Sequence, residues 1–350
     1  MKTYWGSRSR TTVARALSLL ALVAALALAA CGGSGATASS SPSVAPSQAA
    51  ASPSVVASPS GIPLPTPTIA GTIAFARVVT AGSGGNSDIY VVEADGTGLK
   101  HLADGLGWET HPSWSPDGTR IVYTVYPPGD DDATHARLWV MNADGSGQRQ
   151  LTKGSVRGDW AAWSPDGNAI AFQRARTWAD LAIFSLSAQG GGLKRVTRPA
   201  PGTPVGQQAD HIPDWASGGS VLFLRLSDVY SVNARGGGLT RLTKVGNIGD
   251  FALSPDGKSL AIDINTSQSI EIVPARGGGP RVTLLHPIPD FMPDDPYVAL
   301  DWTPDGKALA MASSSLSGDQ GSSLYIVNAD GTGLAVVPNT GDVFDPAWRP

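Results

Sequence analysis

An all-β fold, a six-bladed β-propeller whose last blade is closed by strands from both ends of the domain, is what this sequence predicts. Three observations predict it. The motif Trp-Ser-Pro-Asp-Gly stands at Trp114-Ser115-Pro116-Asp117-Gly118 and at Trp163-Ser164-Pro165-Asp166-Gly167. Looser copies start at Trp215, Leu253 and Trp302, and the sequence ends on Trp348-Arg349-Pro350, part-way through a sixth. Second, a Gly-rich turn recurs between copies, as in Asn142-Ala143-Asp144-Gly145-Ser146-Gly147, with counterparts beginning at Glu93, Ser187, Asn233, Pro274 and Asn328. Two turn motifs sharing one period of roughly 40 to 50 residues mark a blade repeat. Third, the N-terminal copy begins at its second strand, Thr72-Ile73-Ala74-Phe75, and the C-terminal copy stops after an inner strand, 344–350. The two fragments complete one blade and leave no free terminal edge.

Taken in chain order, the elements start with a leader. Lys2, Arg8, Arg10 and Arg15 precede an apolar run over 16–30, which ends at Cys31. That pattern predicts a secretory signal over 1–30, because the run is shorter than the ~20 apolar residues a membrane span needs. Leu28-Ala29-Ala30-Cys31 followed by Gly32 resembles a bacterial lipobox. The resemblance implies a diacylglyceryl group on Cys31, and two acyl chains are what stable anchoring takes. As the sole cysteine, Cys31 excludes an intramolecular disulfide. Residues 31–70, beyond Cys31 itself, are Ser, Ala, Pro, Gly and Thr almost throughout, a composition that cannot bury enough apolar surface to fold. A tether spanning roughly 30 to 36 Å as a flexible coil is expected there.

The propeller is expected over 71–350, four short strands to a blade. In the second blade they are His111-Pro112-Ser113-Trp114, then Arg120-Ile121-Val122-Tyr123-Thr124, then Arg137-Leu138-Trp139-Val140-Met141, then Gln148-Arg149-Gln150-Leu151-Thr152. β-branched and aromatic residues fill the strands, as a pleated half-buried surface requires, and Asp-Gly and Gly-Gly pairs supply positive φ in the turns. On these residues the region from Gly71 onward resembles TolB-type propeller repeats, which are related in outline to WD-repeat propellers. The resemblance implies the fold and an envelope setting. One departure stands out: the TolB protein of the Tol–Pal envelope system has an α/β domain before its propeller, where this sequence has the Ser/Ala/Pro segment.

Composition narrows the function. The chain has 25 Lys+Arg against 29 Asp+Glu. Removing the four basic leader residues leaves 21 against 29, a balance of −8. An acidic domain without a basic stripe argues against nucleic-acid binding. Residues repeated in every blade serve the blade, so the motif tryptophans are expected to pack between blades and Asp117, Asp166, Asp256 and Asp305 to bond turn amides.

Function is expected where the repeats differ. In a four-stranded meander the two short turns share one face, and the variable loops (78–87, 125–136, 198–210, 285–296, 313–322) share the other. Binding residues concentrate on loops held by a rigid scaffold. Some of these loops are acidic: Asp130, Asp131 and Asp132 with His135 in one, Asp290, Asp294 and Asp295 in another. Residues entering the inner strands include Glu109, His111, Asp159, Trp160, Asp210, His211, Asp250 and Asp345. Six inner strands converge on the axis, so these eight are the candidate ligand-binding residues at the channel mouth. Trp108, Trp160 and Trp178 could add stacking. Such a ring suits a cation, a basic peptide or sugar hydroxyls; calcium, with 6–8 oxygen ligands, is the one cofactor considered, although no calcium-loop motif is present.

Catalysis is not expected. A Gly-x-Ser-x-Gly elbow needs a strand-turn-helix setting, and neither is found. A propeller lyase would need a base in the channel, for which His111 and His211 are the candidates. The expectation is a monomeric, membrane-anchored, extracytoplasmic module that binds an envelope protein or peptide through its variable-loop face. The alternative is a small-ligand or carbohydrate receptor, or a lyase, acting through the acidic mouth.

Overall fold

The computed structural model describes residues 67–79, 86–103, 105, 107–128, 135–174, 181–198, 209–285, 298–313 and 322–350. The leader, Cys31 and nearly all of the Ser/Ala/Pro segment lie outside these residues. So do Trp178 and the loop aspartates Asp130, Asp131, Asp132, Asp290, Asp294 and Asp295. The described residues contain strands and turns and no helix.

The chain enters at β1 (Thr72–Val79), which pairs with β2 (Asn86–Glu93), and β2 with β3 (Lys100–Ala103). Then follow β4 (Trp108–Trp114), β5 (Arg120–Tyr126), β6 (Arg137–Asn142) and β7 (Arg149–Gln150). A third meander holds β8 (Asp159–Trp163), β9 (Ala169–Arg174), β10 (Ala182–Ser187) and β11 (Lys194–Arg195). The fourth holds β12 (Asp210–Trp215), β13 (Ser220–Arg225), β14 (Asp228–Asn233) and β15 (Thr240–Arg241). The fifth holds β16 (Ile248–Leu253), β17 (Ser259–Ile264), β18 (Ser269–Pro274) and β19 (Val282–Leu285). The last holds β20 (Val298–Trp302), β21 (Ala308–Ser313), β22 (Leu324–Asn328) and β23 (Ala335–Val336), and β24 (Val343–Trp348) ends the fold.

Four of these groups are separate four-stranded sheets. The remaining strands form one eight-stranded sheet, β24-β1-β2-β4-β5-β6-β7 with β3 on β2. Its two halves meet at a single parallel bridge, Ser87 to Trp108, where the Ser87 hydroxyl donates to the Glu109 carbonyl at 2.9 Å. β24 pairs antiparallel with β1, Ile73 opposite Trp348. The two ends of the domain therefore share one sheet, as the fragmentary first and last repeats predict.

Six large apolar clusters, each shared by two neighbouring meanders, make up most of the core of the described residues. Ile170 and Phe172 of β9 pack with Val122 and Leu138, while Ala171 between them packs with Val221 and Phe223 of the next sheet. Side chains alternate across a strand with period two, so a strand buried on both faces reads as an unbroken apolar run. That is why Ile121-Val122-Tyr123 shows no polar alternation. The cycle closes where Ile73, Phe75 and Val92 pack with Ala308, Ala310, Leu324 and Ile326. Inner strands β24, β4, β8, β12, β16 and β20 likewise touch in cyclic order. This is a β-propeller.

The repeated motif residues hold the ring together. Four of the five motif tryptophans donate their indole N–H to the carbonyl of the residue before the corresponding motif position in the preceding meander; the fifth, Trp348, has a buried indole N–H without a hydrogen-bond partner among the described residues. The bonds are Trp163 to Ser113 (3.2 Å), Trp215 to Ala162 (3.1 Å), Trp302 to Ala252 (3.1 Å) and Trp114 to Ala347 (3.1 Å). The motif carboxylates cap their own turns: Asp117 accepts from the Ser115 hydroxyl and the Thr119 amide, and Asp166, Asp256 and Asp305 repeat the pattern. A threonine that closes the outer strand recurs too, Thr152, Thr197 and Thr243 accepting the amides of Leu138, Ile183 and Val229.

Candidate functional site

Five of the six inner strands enter the ring with a kink, while β20 pairs with β21 in unbroken register. Register shifts mark a bulge between Thr110 and Ser113, Asp159 and Ala161, His211 and Asp214, and Ile248 and Phe251, and β24 bulges against β1 between Phe344 and Ala347. Four residues at equivalent positions, three before the motif tryptophan, adopt positive φ: His111 (49°), Trp160 (49°), Ile212 (51°) and Asp345 (52°). A non-glycine residue there costs energy, and bulges re-aim side chains. Sheet pairing around it holds the strained residue in place.

His111 is the centre of what the bulges assemble. Its Nδ1 lies 3.0 Å from Asp159 Oδ1 and its Nε2 3.4 Å from Asp345 Oδ2. Its ring stacks on Trp160, centroids 3.8 Å apart and planes 29° from parallel, and its backbone N–H donates to Asp345 at 3.1 Å. Burial pushes the imidazole pKa down, but the charges of Asp345 and Asp159 outweigh it and raise the value above the ordinary one. Asp159 is nearly inaccessible. Burial favours its protonation, but His111, the Tyr126 hydroxyl (2.6 Å) and the Trp160 amide (2.8 Å) hold the carboxyl below its usual range.

The remaining carboxyls are pushed the other way. Asp250 rises to about 8, chiefly by burial and then by Asp345 and Asp301, although it accepts the Leu300 amide at 2.9 Å. Asp301 rises to about 7 and Asp214 to about 6, both by burial first. Asp263, on β17, is also raised by burial and by Asp250. Among these groups His111 senses Asp250, Asp250 senses Asp345 and Asp301 senses Asp214, in each case between inner strands that are not neighbours in the ring. Side chains directed toward a shared axis account for this influence across the ring. The carboxylates also tie neighbours together: Asp301 accepts the Trp348 amide at 2.7 Å and Asp214 the Leu253 amide at 3.4 Å.

Of the eight residues expected at the mouth, the structure brings His111, Asp159, Trp160, Asp250 and Asp345 into this constellation. His211 sits at the equivalent bulge of β12, where burial lowers its imidazole to about 4. Glu109 and Asp210 are elsewhere. Both stand five residues before a motif tryptophan, where the strand pleat turns the side chain between sheets. Glu109 is fully buried and adds to the burial that raises the Tyr123 phenol, while Asp210 is clamped by Arg225 through Nη2 to Oδ2 at 2.7 Å.

Asp214, Asp263 and Asp301 were not among the sequence candidates. Two of them had a signal: Asp214-Trp215 and Asp301-Trp302 place a carboxylate where other repeats have Ser113, Ala162, Ala252 or Ala347. Among the described residues no three of His, Cys, Asp and Glu are arranged to hold a metal ion. On the variable-loop side of the second sheet an open depression is lined by Pro127, His135, Arg137 and Arg157.

Fold and site together define a β-propeller with an acid-lined axis. Its fold is that of the TolB-type propellers. The structure is similar to TolB from Acinetobacter baumannii, with a TM-score of 0.63 and 20% identity over 80% of this chain and 67% of that one. It is also similar to a putative TolB from Agrobacterium tumefaciens (TM-score 0.53, 17% identity, 81% of this chain and 99% of that one). A chain of the nidogen/laminin complex aligns with a TM-score of 0.58 at 10% identity, over 80% of this chain and 99% of that one. No family model matches the sequence, and no curated protein matches it significantly.

Proposed function

We propose that this chain is a six-bladed, non-catalytic binding module. Diacylated Cys31 would anchor it outside the cytoplasmic membrane, and a protein partner would dock on its variable-loop face and place a basic segment at the channel mouth. Six meanders, counting the eight-stranded sheet as two, and the six large clusters between meanders support the blade number. The observation that carries the binding reading is the convergence across the axis of Asp214, Asp250, Asp301 and Asp345 on a rigid ring. Such a site costs stability while empty and repays it when a cation displaces the protons. Propellers host many functions on one fold, so the likeness to TolB and to a chain of a nidogen/laminin complex supports a protein partner by analogy of fold alone.

Catalysis is disfavoured because both ring nitrogens of His111 face carboxylates, which favour the protonated imidazole and make it a poorer base. A second reading, a receptor for a small cationic ligand or a glycan, draws on the same carboxyls and on the Trp160 ring.

Thermal-shift measurements against basic peptides, divalent cations and envelope glycans separate these readings. Ligand at about 100 times its dissociation constant stabilises the fold by roughly 2.7 kcal/mol. Basic peptides should raise Tm, more at pH 8 than at pH 6 because more of the carboxyls are ionised. Asp159→Ala with Asp250→Ala should abolish the effect and leave the β-sheet spectrum intact. Undiminished peptide binding by that double variant would remove the channel from the proposal.

A further inference from the structure

The face opposite the variable loops carries a charge asymmetry that the repeat does not require. Each outer turn packs its glycine against the end of the preceding sheet: a Cβ on Gly236 would meet the Val196 carbonyl oxygen at 3.0 Å, and one on Gly277 the Leu242 oxygen at 2.7 Å. The turns of the third, fourth and fifth meanders are therefore contiguous along the rim. They read Ser187-Ala188-Gln189-Gly190-Gly191-Gly192-Leu193-Lys194, Asn233-Ala234-Arg235-Gly236-Gly237-Gly238-Leu239-Thr240 and Pro274-Ala275-Arg276-Gly277-Gly278-Gly279-Pro280-Arg281. These three hold four cations and no carboxylate. The other three outer turns carry Glu93, Asp95, Asp144 and Asp330 against Lys100 and Arg149. A chain that is acidic overall thus has one basic arc.

Apolar side chains stand among the cations. Leu193 is 38% and Leu239 48% exposed, and Val282, beside Arg281, is 43% exposed. Lys194, Arg235 and Arg276 are exposed and make no ion pair among the described residues, while Arg281 lies 3.5 Å from Glu271. The inner turns beneath the arc add little negative charge. Asp256 is paired with Lys258 at 3.1 Å, the turn at Ala216 has no acid, and only Asp166 remains.

We infer that this arc, centred on Lys194, Arg235 and Arg276 with Leu193 and Leu239, docks on an anionic phospholipid surface. Charge complementarity selects a polyanion, and the leucines select a bilayer among polyanions. They protrude singly from separate turns, an arrangement a fluid interface accepts in any spacing, whereas a protein would need a matched pocket for each. Basic residues near an anionic leaflet each add attraction, and leucines among them bury apolar surface at the headgroup boundary. The chain also enters the fold on this face, where the Ala94 amide, at the β2–β3 turn, donates to Gly71 O at 2.8 Å. Resting on the anchored reading above, the inference gives the domain an orientation: turns toward the membrane, variable loops toward the partner.

Vesicle flotation of the full chain carrying Cys31→Ala tests it, because the apolar run at 16–30 contributes equally in every variant. Binding should be stronger to vesicles containing phosphatidylglycerol than to pure phosphatidylcholine, and should weaken with salt. The triple variant K194E/R235E/R276E should lose the phosphatidylglycerol-dependent part by about tenfold or more. Leu193→Ser with Leu239→Ser should weaken it with the charges intact. All variants are compared at equal thermal stability.

Equal binding to both vesicles, or no effect of the triple variant, overturns the inference. So does tight binding to soluble polyglutamate that the leucine substitutions leave unchanged, which would make the arc a surface for acidic polymers. The mass of the wild-type N-terminal peptide from native membranes reports lipidation of Cys31 separately, so loss of the anchor and loss of the docking face are distinguishable.

Discussion

Replacing Asp250 by Asn should flatten the pH dependence of stability. Asp250 is 4% exposed, and its carboxyl is raised from 3.8 to about 8. Between those values the folded state binds more protons than the unfolded state, so unfolding free energy falls as pH rises. The stabilising proton is fully in place below about pH 4 and is lost as pH passes 8. From pH 5 to 8 the interval is about three units at roughly 1.36 kcal/mol each, near 4 kcal/mol. Asp301 titrates in the same cluster and shares the effect, which leaves about 2–4 kcal/mol for Asp250. Asn keeps an acceptor for the Leu300 amide and cannot ionise. The variant should therefore match the wild type at pH 5 and exceed it at pH 8 by several degrees in Tm, at roughly 2–4 °C per kcal/mol. Differential scanning calorimetry across pH 5 to 8 measures this. Parallel profiles for the two proteins would refute the reasoning, since Asp250 would then already be ionised in the folded state.

Two further predictions concern the ring itself. Trp163→Ala removes a buried indole, its bond to Ser113 and the Arg120 guanidinium 4.6 Å above its ring, and should cost about 3–5 kcal/mol in chemical denaturation. Trp163→Leu should cost clearly less, because Leu253 fills the same position in the fifth meander. Arg225→Met leaves Asp210 buried without its clamp and should cost about 3–5 kcal/mol, whereas Arg225→Met with Asp210→Leu should recover much of it.

Most of the fold was legible because the turns are chemically repetitive. Trp-Ser-Pro-Asp-Gly encodes a bond between sheets and a capped turn at once, and two such motifs in phase fix strand number and order. The site was legible only in part. His111, Asp159, Trp160, Asp250 and Asp345 could be placed near the axis by their position before the motif tryptophan. The left-handed bulge at His111, Trp160, Ile212 and Asp345 could not be read, since only His and Asp among these types are enriched at positive φ and Trp160 and Ile212 give no such signal. That bulge decides which side chains face the axis. It explains why Glu109 and Asp210 turn between sheets and why Asp214, one residue before its tryptophan, faces the channel; Asp301 stands at the same place on β20, which carries no bulge. Asp263 lies on a second strand, where nothing in the repeat marks it.

The sheet shared by β1 and β24 also sets a timetable. Ile73 and Phe75 belong to one of the first strands synthesised, yet the cover they need at Trp348 and Val343 is made last. Until then the nascent chain carries an unpaired edge on β1, and pairing across such a separation forms slowly. The ring is therefore completed only once the last strand of the domain has been made. An exported chain would have to do so beyond the membrane, which puts a premium on crossing unfolded and on shielding that edge while the final strand arrives.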